Sequence, residues 1–282
     1  MANESSKVQA PALPIPPAGP LKKYLDDLNN ILRLYFNRLD NALRNTMADS
    51  VPYADRVARG EVAGASVVNI FGFNSSIGTT FIAPWELANA GTQYVVPGSA
   101  TTMSLVSTNA ADTGISILVQ GLDASYNQIQ EVMTLNGTTP VTTTNSYLRI
   151  NQMVQVNGIA VGNVSLTNGG VTYARITAGV GKSQMCQYTV PAGYSFYLNR
   201  IAAFSATASG ASKYIMFRHR TTPSDGTTTE FDVAQATFTN ELSFTRVAPV
   251  KYDEKTHIQF QTRSSSGTNE ISISAEGYLV QN

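Results

Sequence analysis

From about Ala63 to the end of the chain, apolar and polar residues alternate with a period of two, which is the pattern of half-buried β-strands. In one such run, Ile258 and Phe260 alternate with Gln259 and Gln261. Similar runs cover residues 115–120, 129–135 and 271–276. The turn signals between the runs are Asn136-Gly137, Asn157-Gly158, Asn168-Gly169-Gly170, Pro191-Ala192-Gly193, Asp225-Gly226 and Ser266-Gly267. Short strands with regular turns predict a mainly β body of the β-sandwich or jelly-roll type.

The stretch 178–183, Ala-Gly-Val-Gly-Lys-Ser, interrupts this body with small residues that are typical of a flexible connection. A new strand pattern begins at Cys186 and ends at Val190. We therefore predict two β-sandwich or jelly-roll-like modules, 63–178 and 179–282. No repeat with a period of 20–50 residues is visible in the sequence, which argues against a solenoid or a propeller.

The first 62 residues differ from the body, because they hold 15 charged residues and a helical pattern. Residues 10–17 read Ala-Pro-Ala-Leu-Pro-Ile-Pro-Pro, and this density of proline favours an extended, polyproline-type backbone. Pro20 stands where a helix can begin, since the N–H that it lacks has no partner in a first helical turn. We predict that residues 1–62 form an anchoring arm with a proline-rich segment and one α-helix.

Apolar residues of the predicted helix recur at alternating spacings of four and three, which is a heptad seam. The predicted anchoring and oligomerisation residues of this seam are Leu21, Leu25, Leu28, Leu32, Tyr35 and Leu39. Ile31, Leu34 and Phe36 add a second apolar stripe, so the apolar surface is broader than a two-stranded coiled coil needs. The pattern predicts a homotrimer or docking into a larger assembly, and the alternative is that the helix packs on its own body.

Charge excludes some partners. The formal net charge is zero, only 13% of residues are charged, and no run of Lys or Arg is present, so we expect no binding to nucleic acid. No apolar run reaches the length of a membrane span, and the first 12 residues do not resemble a secretory signal, so we expect synthesis in a cytoplasm. The single cysteine, Cys186, forms no intrachain disulfide and is interpreted as a small buried apolar residue.

The sequence predicts no catalytic residue, no cofactor and no metal site. The two histidines, His219 and His257, lie on separate strand patterns without Cys or His at ligand spacing. Gly181-Lys182-Ser183 resembles the end of a phosphate-binding loop, but Ile176 stands where that motif needs glycine, and no helical pattern follows. We therefore predict that the protein is not an enzyme.

A polysaccharide-degrading module is the enzymatic rival, because paired carboxylates can cleave glycosidic bonds. Asp225, Glu230 and Asp232 cluster near a turn, where capping and solubility also explain them. Aromatic residues could offer platforms for sugar rings, although tyrosines in strands are more often half-buried packing residues. The aromatic candidates are Trp85, Tyr173, Tyr188, Tyr194 and Tyr197.

Two stretches of the sequence carry a resemblance to a known family. The first is Leu-Pro-Ile-Pro-Pro at 13–17 followed by Leu-Asp-Asp-Leu-Asn-Asn-Ile-Leu-Arg-Leu-Tyr-Phe-Asn-Arg-Leu-Asp-Asn at 25–41. The second comprises residues 121–127, 131–143 and 148–151. Both stretches resemble virion structural proteins of short-tailed and related environmental bacteriophages. Weaker similarity lies at 188–193 and at Glu254-Lys255-Thr256, where His257 stands in place of the acidic residue that the resemblance leads us to expect.

The resemblance implies a structural protein that is anchored by its N-terminal arm, with a β body projecting outward. We expect a tail-fibre or tail-appendage subunit that is located in the virion and assembled in the host cytoplasm. The alternatives are a capsid decoration or neck protein, and a module that binds or degrades host-surface glycan. The expected partners are further copies of the chain and other phage virion proteins of the tail, adaptor or capsid.

Overall fold

The computed structural model describes residues 21–87, 93–206, 213–223 and 230–282. The chain divides into two compact units, Met1–Glu61 and Val62–Asn282. The prediction of a mainly β chain with an N-terminal helix is confirmed. The proline-rich segment 10–17 lies outside the described residues.

The described part of the first unit, residues 21–61, contains two helices. Helix α1 (Leu21–Ser50) follows Pro20 as predicted and continues eight residues beyond Ala42, where the apolar seam ends. Helix α2 (Tyr53–Ala58) begins after Pro52, whose carbonyl accepts hydrogen bonds from the N–H groups of Asp55 and Arg56 at 3.0 and 3.2 Å. Neither of these described helices is long and apolar enough to cross a membrane.

The second unit is built from strands. The strands are β1 (Ala65–Ile77), β2 (Ser104–Ser107), β3 (Thr113–Leu122), β4 (Gln128–Asn136), β5 (Val141–Thr142), β6 (Arg149–Asn157), β7 (Val164–Asn168), β8 (Val171–Ile176), β9 (Gln187–Thr189), β10 (Tyr194–Ala206), β11 (Ile215–Thr222), β12 (Phe231–Phe238), β13 (Glu241–Tyr252), β14 (His257–Ser264) and β15 (Asn269–Gln281). All pairings between them are antiparallel.

Eight strands form a jelly roll of two four-stranded sheets, in the orders β1-β15-β10-β13 and β12-β11-β14-β9. The pairing is nested: β1 pairs with β15, β9 with β14, β10 with β13, and β11 with β12. The first of these strands therefore pairs with the last and the second with the second to last, as in a long hairpin that is folded over into two layers.

The remaining seven strands, β2 to β8, all lie between β1 and β9 of the jelly roll. They form one sheet in the order β5-β2-β7-β8 and another in the order β4-β3-β6. The predicted boundary near residue 178 falls between β8 and β9, but β1 pairs with β15 across that boundary. The division into two modules, 63–178 and 179–282, stays a prediction. Strand β1 of the first predicted module pairs with β15 of the second.

The core of the jelly roll lies between its two sheets. The ring of Phe217 on β11 lies 6.4 Å from that of Phe260 on β14 and 6.4 Å from that of Phe244 on β13 of the facing sheet. Phe217 and Phe260 are buried, and each contributes about 1.5–3 kcal/mol relative to an exposed side chain. The alternation seen in the sequence of β14 thus directs Ile258 and Phe260 into this core.

The stretch 178–183 runs along β6 and is held there by hydrogen bonds. The carbonyl of Gly181 accepts the N–H of Gln155 at 2.8 Å, and Ser183 exchanges two bonds with Met153, one through its N–H and one through its hydroxyl, at 2.9 Å each. No helix follows this stretch among the described residues. Two residues of this stretch, Gly181 and Ser183, thus extend the pairing of β6, and its role as a flexible connection between modules stays a prediction.

Candidate functional site

A cleft of about 460 Å³ lies within the second unit, between the jelly roll and the sheet β4-β3-β6. We call it the glutamine cleft. Its lining consists of residues 66–71 of β1, Gln120 and Gly121 of β3, 128–130 of β4, Asn151 and Gln152 of β6, Lys182, Ser183, Met185, Gln187, Tyr188, Pro191 and Leu279. All of these residues belong to one compact unit, so the shape of the cleft is set by the fold.

One wall of the cleft carries a row of three glutamines on neighbouring strands. Gln120 of β3 lies opposite Gln130 of β4 and also opposite Gln152 of β6. The side-chain Nε2 of Gln120 donates a hydrogen bond to Oε1 of Gln130 at 3.3 Å. Each amide offers both a donor and an acceptor, so this wall can bond to peptide groups or to hydroxyl groups.

The opposite wall is the free edge of β1. This strand is the outermost of its sheet and pairs only with β15 among the described strands. Six consecutive residues of β1 line the cleft, so side chains from both faces of the strand and the backbone between them reach it. The edge of β1 that is not paired with β15 therefore faces the cleft.

The backbone groups at this edge follow from the pairing with β15. The carbonyl of Gly64 accepts the N–H of Gln281 at 2.8 Å, and the register continues without a shift to Asn74. Because hydrogen-bonded and non-bonded positions alternate in antiparallel pairs, Ser66, Val68 and Ile70 face β15. The N–H and C=O groups of Val67, Asn69 and Phe71 consequently point away from β15, and no hydrogen bond joins them to another described residue.

Asn151 holds the two walls in place. Its side-chain Nδ2 donates to the carbonyl of Thr189 at 3.1 Å, and its Oδ1 accepts the N–H of Thr189 at 3.1 Å. The asparagine amide thereby bonds to β9 as a neighbouring strand would. This pair ties β6 of the inserted sheets to β9 of the jelly roll beside the cleft.

The cleft is almost uncharged, since Lys182 is the one charged residue in its lining. The lining offers amide, hydroxyl and backbone groups together with the aromatic ring of Tyr188. Such a surface suits an uncharged ligand with alternating hydrogen-bond donors and acceptors.

The predicted acidic cluster is part of an ion-pair network. Arg220 on β11 donates to Glu230 at 2.6 Å and to Asp232 at 3.0 Å. Burial raises the pKa of Asp232, but hydrogen bonds from Arg220 and Gln235 outweigh it, and the net shift of this pKa is downward. Asp225 lies outside the described residues. Glu230 and Asp232 thus both bond to Arg220. The downward shift of the Asp232 pKa is opposite to the upward shift that the general acid of a glycosidase needs.

Both histidines contact neighbouring side chains of the jelly roll. His219 is fully buried, with its ring 4.7 Å from that of Phe260 and its Nε2 3.3 Å from the hydroxyl of Tyr252. Burial, with the nearby charge of Arg246, lowers the pKa of His219 to about 4. His257 lies 2.8 Å from the hydroxyl of Thr189 through its Nδ1, and burial and Arg149 lower its pKa to about 3. Among the described residues, no group of His, Cys, Asp and Glu could hold a metal ion.

The aromatic candidates serve mainly in packing. Trp85 is buried, and its ring lies 5.3 Å from that of Tyr94. The ring of Tyr188 lies 5.5 Å from that of buried Phe196, and Tyr173 and Tyr194 pack against the core while half-buried. Tyr197 stacks on Tyr278 at 5.3 Å. Of the predicted sugar platforms, only Tyr188 lines the glutamine cleft.

The predicted anchoring residues all lie on α1. Leu28, Leu32, Tyr35 and Leu39 are half-buried, whereas Leu21 and Leu25 are 61% and 47% exposed. Leu34 and Phe36 of the second stripe are 58% and 60% exposed. The helix is confirmed, and its role in oligomerisation stays a prediction.

The sequence patterns did not predict the glutamine cleft. Alternation placed Gln120 and Gln130 on polar strand faces, but nothing in the spacing showed that they lie opposite each other. The sequence did not distinguish Gln152 from other polar residues, because Asn, Gln, Ser and Thr are frequent throughout the body. The cleft depends on which strand lies beside which, and that is a property of the tertiary structure.

No family model matches the sequence, and no curated protein matches it. Among solved structures, one of infectious bursal disease virus, Gt strain, aligns at 14% identity with a TM-score of 0.17, covering 77% of this chain and 68% of that chain. A likeness this low carries no argument about fold or function.

Proposed function

We propose that this chain is a non-enzymatic structural protein of a bacteriophage particle, a tail-fibre or tail-appendage subunit that assembles with further copies of itself. The observation that carries the proposal is the division of the chain into a compact β unit and a separate N-terminal unit with a 30-residue amphipathic helix. A helix with large apolar side chains exposed on more than one face is typical of a segment that is covered in an assembly.

The sequence resemblance supports the phage particle as the setting, and it supports attachment through the N-terminal segment. The jelly roll is a frequent architecture of viral capsid domains and of lectin domains. This topology favours one second candidate, a capsid decoration or neck protein. Both candidates share the structural role and differ in position and copy number.

Counting the subunit in purified particles tests the proposal. We expect quantitative mass spectrometry to find this chain in particles at tens of copies for a tail appendage, and at hundreds for a capsid decoration protein. Particles that lack the chain altogether would contradict the structural role. Incubating the purified chain with host-surface polysaccharide addresses the enzymatic rival, and release of new reducing ends would overturn the non-enzymatic assignment.

A further inference from the structure

The glutamine cleft has the features of a site for an added β-strand. One wall is a sheet edge at which Val67, Asn69 and Phe71 point their N–H and C=O groups away from β15. An extended peptide that pairs with such an edge gains main-chain hydrogen bonds at every second residue. The glutamine row on the other wall can bond to the remaining edge of that peptide.

The sequence of this chain contains a segment that matches the cleft in charge. Residues 8–20 contain no charged side chain, and they lead directly to Leu21, where the described structure begins. An uncharged segment can enter a nearly uncharged cleft without the cost of desolvating an ion. This segment is 13 residues long, so it is long enough to lie along all six residues of β1 that line the cleft.

The prolines of this segment also have a suitable spacing. Proline cannot donate to a strand pair, so it is tolerated in an added strand only where its nitrogen faces away from the pairing edge. Pro14 and Pro16 alternate with Leu13 and Ile15. A strand that turns the N–H groups of Leu13 and Ile15 toward β1 therefore turns both proline nitrogens away from it.

We propose that residues 12–16 of a second copy of this chain add to the free edge of β1 in the glutamine cleft. Helix α1 is about 45 Å long. This length separates its first residue, Leu21, which follows the proline-rich segment, from Ser50, where the chain leaves the helix. A segment carried at the far end of so long a helix can reach a neighbouring subunit. The inference rests on the self-association within the proposed function, and it names the surface that receives the arm.

Cysteine pairing between two full-length chains tests this contact. One chain carries Ile15→Cys and the other carries Val67→Cys, with different tags, and both are produced in the same cells. The control replaces Val67→Cys with Val233→Cys, because these valines lie on edge strands and are 44% and 42% exposed. The native Cys186 is buried, and burial raises the pKa of its thiol, so it does not interfere.

Under mild oxidation we expect at least tenfold more disulfide-linked heterodimer with Val67→Cys than with Val233→Cys. Adding Asn69→Pro to the Val67→Cys chain should abolish the link, because it removes an outward N–H without breaking the β1–β15 ladder. Circular dichroism and thermal melting check that this chain remains folded. Equal or absent linkage in the two mixtures would overturn the proposal.

A chain that carries both Ile15→Cys and Val67→Cys identifies the source of the segment. If the bond forms only within this single chain, while the mixture gives no heterodimer, the second-copy proposal is overturned in favour of the chain's own arm. Particle incorporation is measured separately, so failure of the strand-addition contact leaves the proposed structural role standing.

Discussion

Gly72 of β1 and Cys186, just before β9, approach so closely that a Cβ atom on the glycine would overlap the Cβ of the cysteine. The same added atom would lie 2.5 Å from the carbonyl oxygen of Pro84. The N–H of Cys186 donates to that carbonyl at 3.0 Å. At Gly72, directly after the residues of β1 that line the glutamine cleft, the segments of Pro84 and Cys186 therefore pack directly on the backbone of β1.

Replacing Gly72 with alanine should destabilise the second unit by about 1–3 kcal/mol or more, because backbone on both sides must move to admit a methyl group. Gly78→Ala is the matched control, since an added Cβ there meets nothing within 4 Å. Urea unfolding of both variants measures the difference. Equal stability of Gly72→Ala and Gly78→Ala would contradict the close packing of β1 against Cys186.

Acidification should destabilise the body through His219. The folded state holds its pKa at about 4, whereas the unfolded side chain titrates near the ordinary value of 6.5. The unfolded chain therefore binds more protons between these values, so stability is full above about pH 6.5 and falls as pH drops toward 4. Lowering the pH from 7 to 4.5 should cost about 2–3 kcal/mol through this residue.

The variant His219→Phe isolates this contribution. Glu86 complicates the wild-type curve, because burial raises its pKa to about 7 and its effect on stability has the opposite sign. The difference between wild type and His219→Phe cancels Glu86, since both proteins carry it. Denaturant unfolding at several pH values should show a shallower pH dependence in the variant, and parallel curves would refute the role of His219.

Removing residues 1–61 should leave a folded β unit. The jelly-roll and inserted strands all lie in Val62–Asn282, which forms a compact unit by itself. We expect the truncated chain to keep the far-ultraviolet circular dichroism signal of β-structure and a cooperative thermal transition. Aggregation or loss of cooperativity would show that the first unit contributes to the stability of the second.

Replacing Leu28, Leu32 and Tyr35 with serine should convert the predicted homotrimer to a monomer. Each large apolar side chain contributes about 1.5–3 kcal/mol when it is buried in an interface. Asn30→Ser, Asn37→Ser and Asn41→Ser on the same helix form the control, because these side chains are exposed. Light scattering of both variants and wild type measures the mass, and a monomeric wild type at micromolar concentration would reject self-association through α1.

Local patterns in the sequence determined the type of several elements, namely α1, β3, β4, β9, β14 and β15. The alternation around Ile258 and Phe260 predicted β14, because successive side chains of a strand point to opposite sides. The expected half-burial was wrong for this strand, since Gln259 and Gln261 on its polar face are buried as well. The alternating spacings of four and three from Leu21 to Leu39 predicted α1, because residues at these spacings lie on one face of a helix. These signals need only neighbouring residues, so they can be read without knowing the fold.

Only the tertiary structure decided how these elements combine. Ala65 pairs with Val280, and no local pattern indicates a partner that lies more than 200 residues away. The nested order of the jelly roll, the insertion of β2 to β8 and the row of Gln130, Gln120 and Gln152 all depend on such distant pairings. Many strands of similar polar and apolar pattern could pair in several ways, and the shared core between the sheets selects one of them.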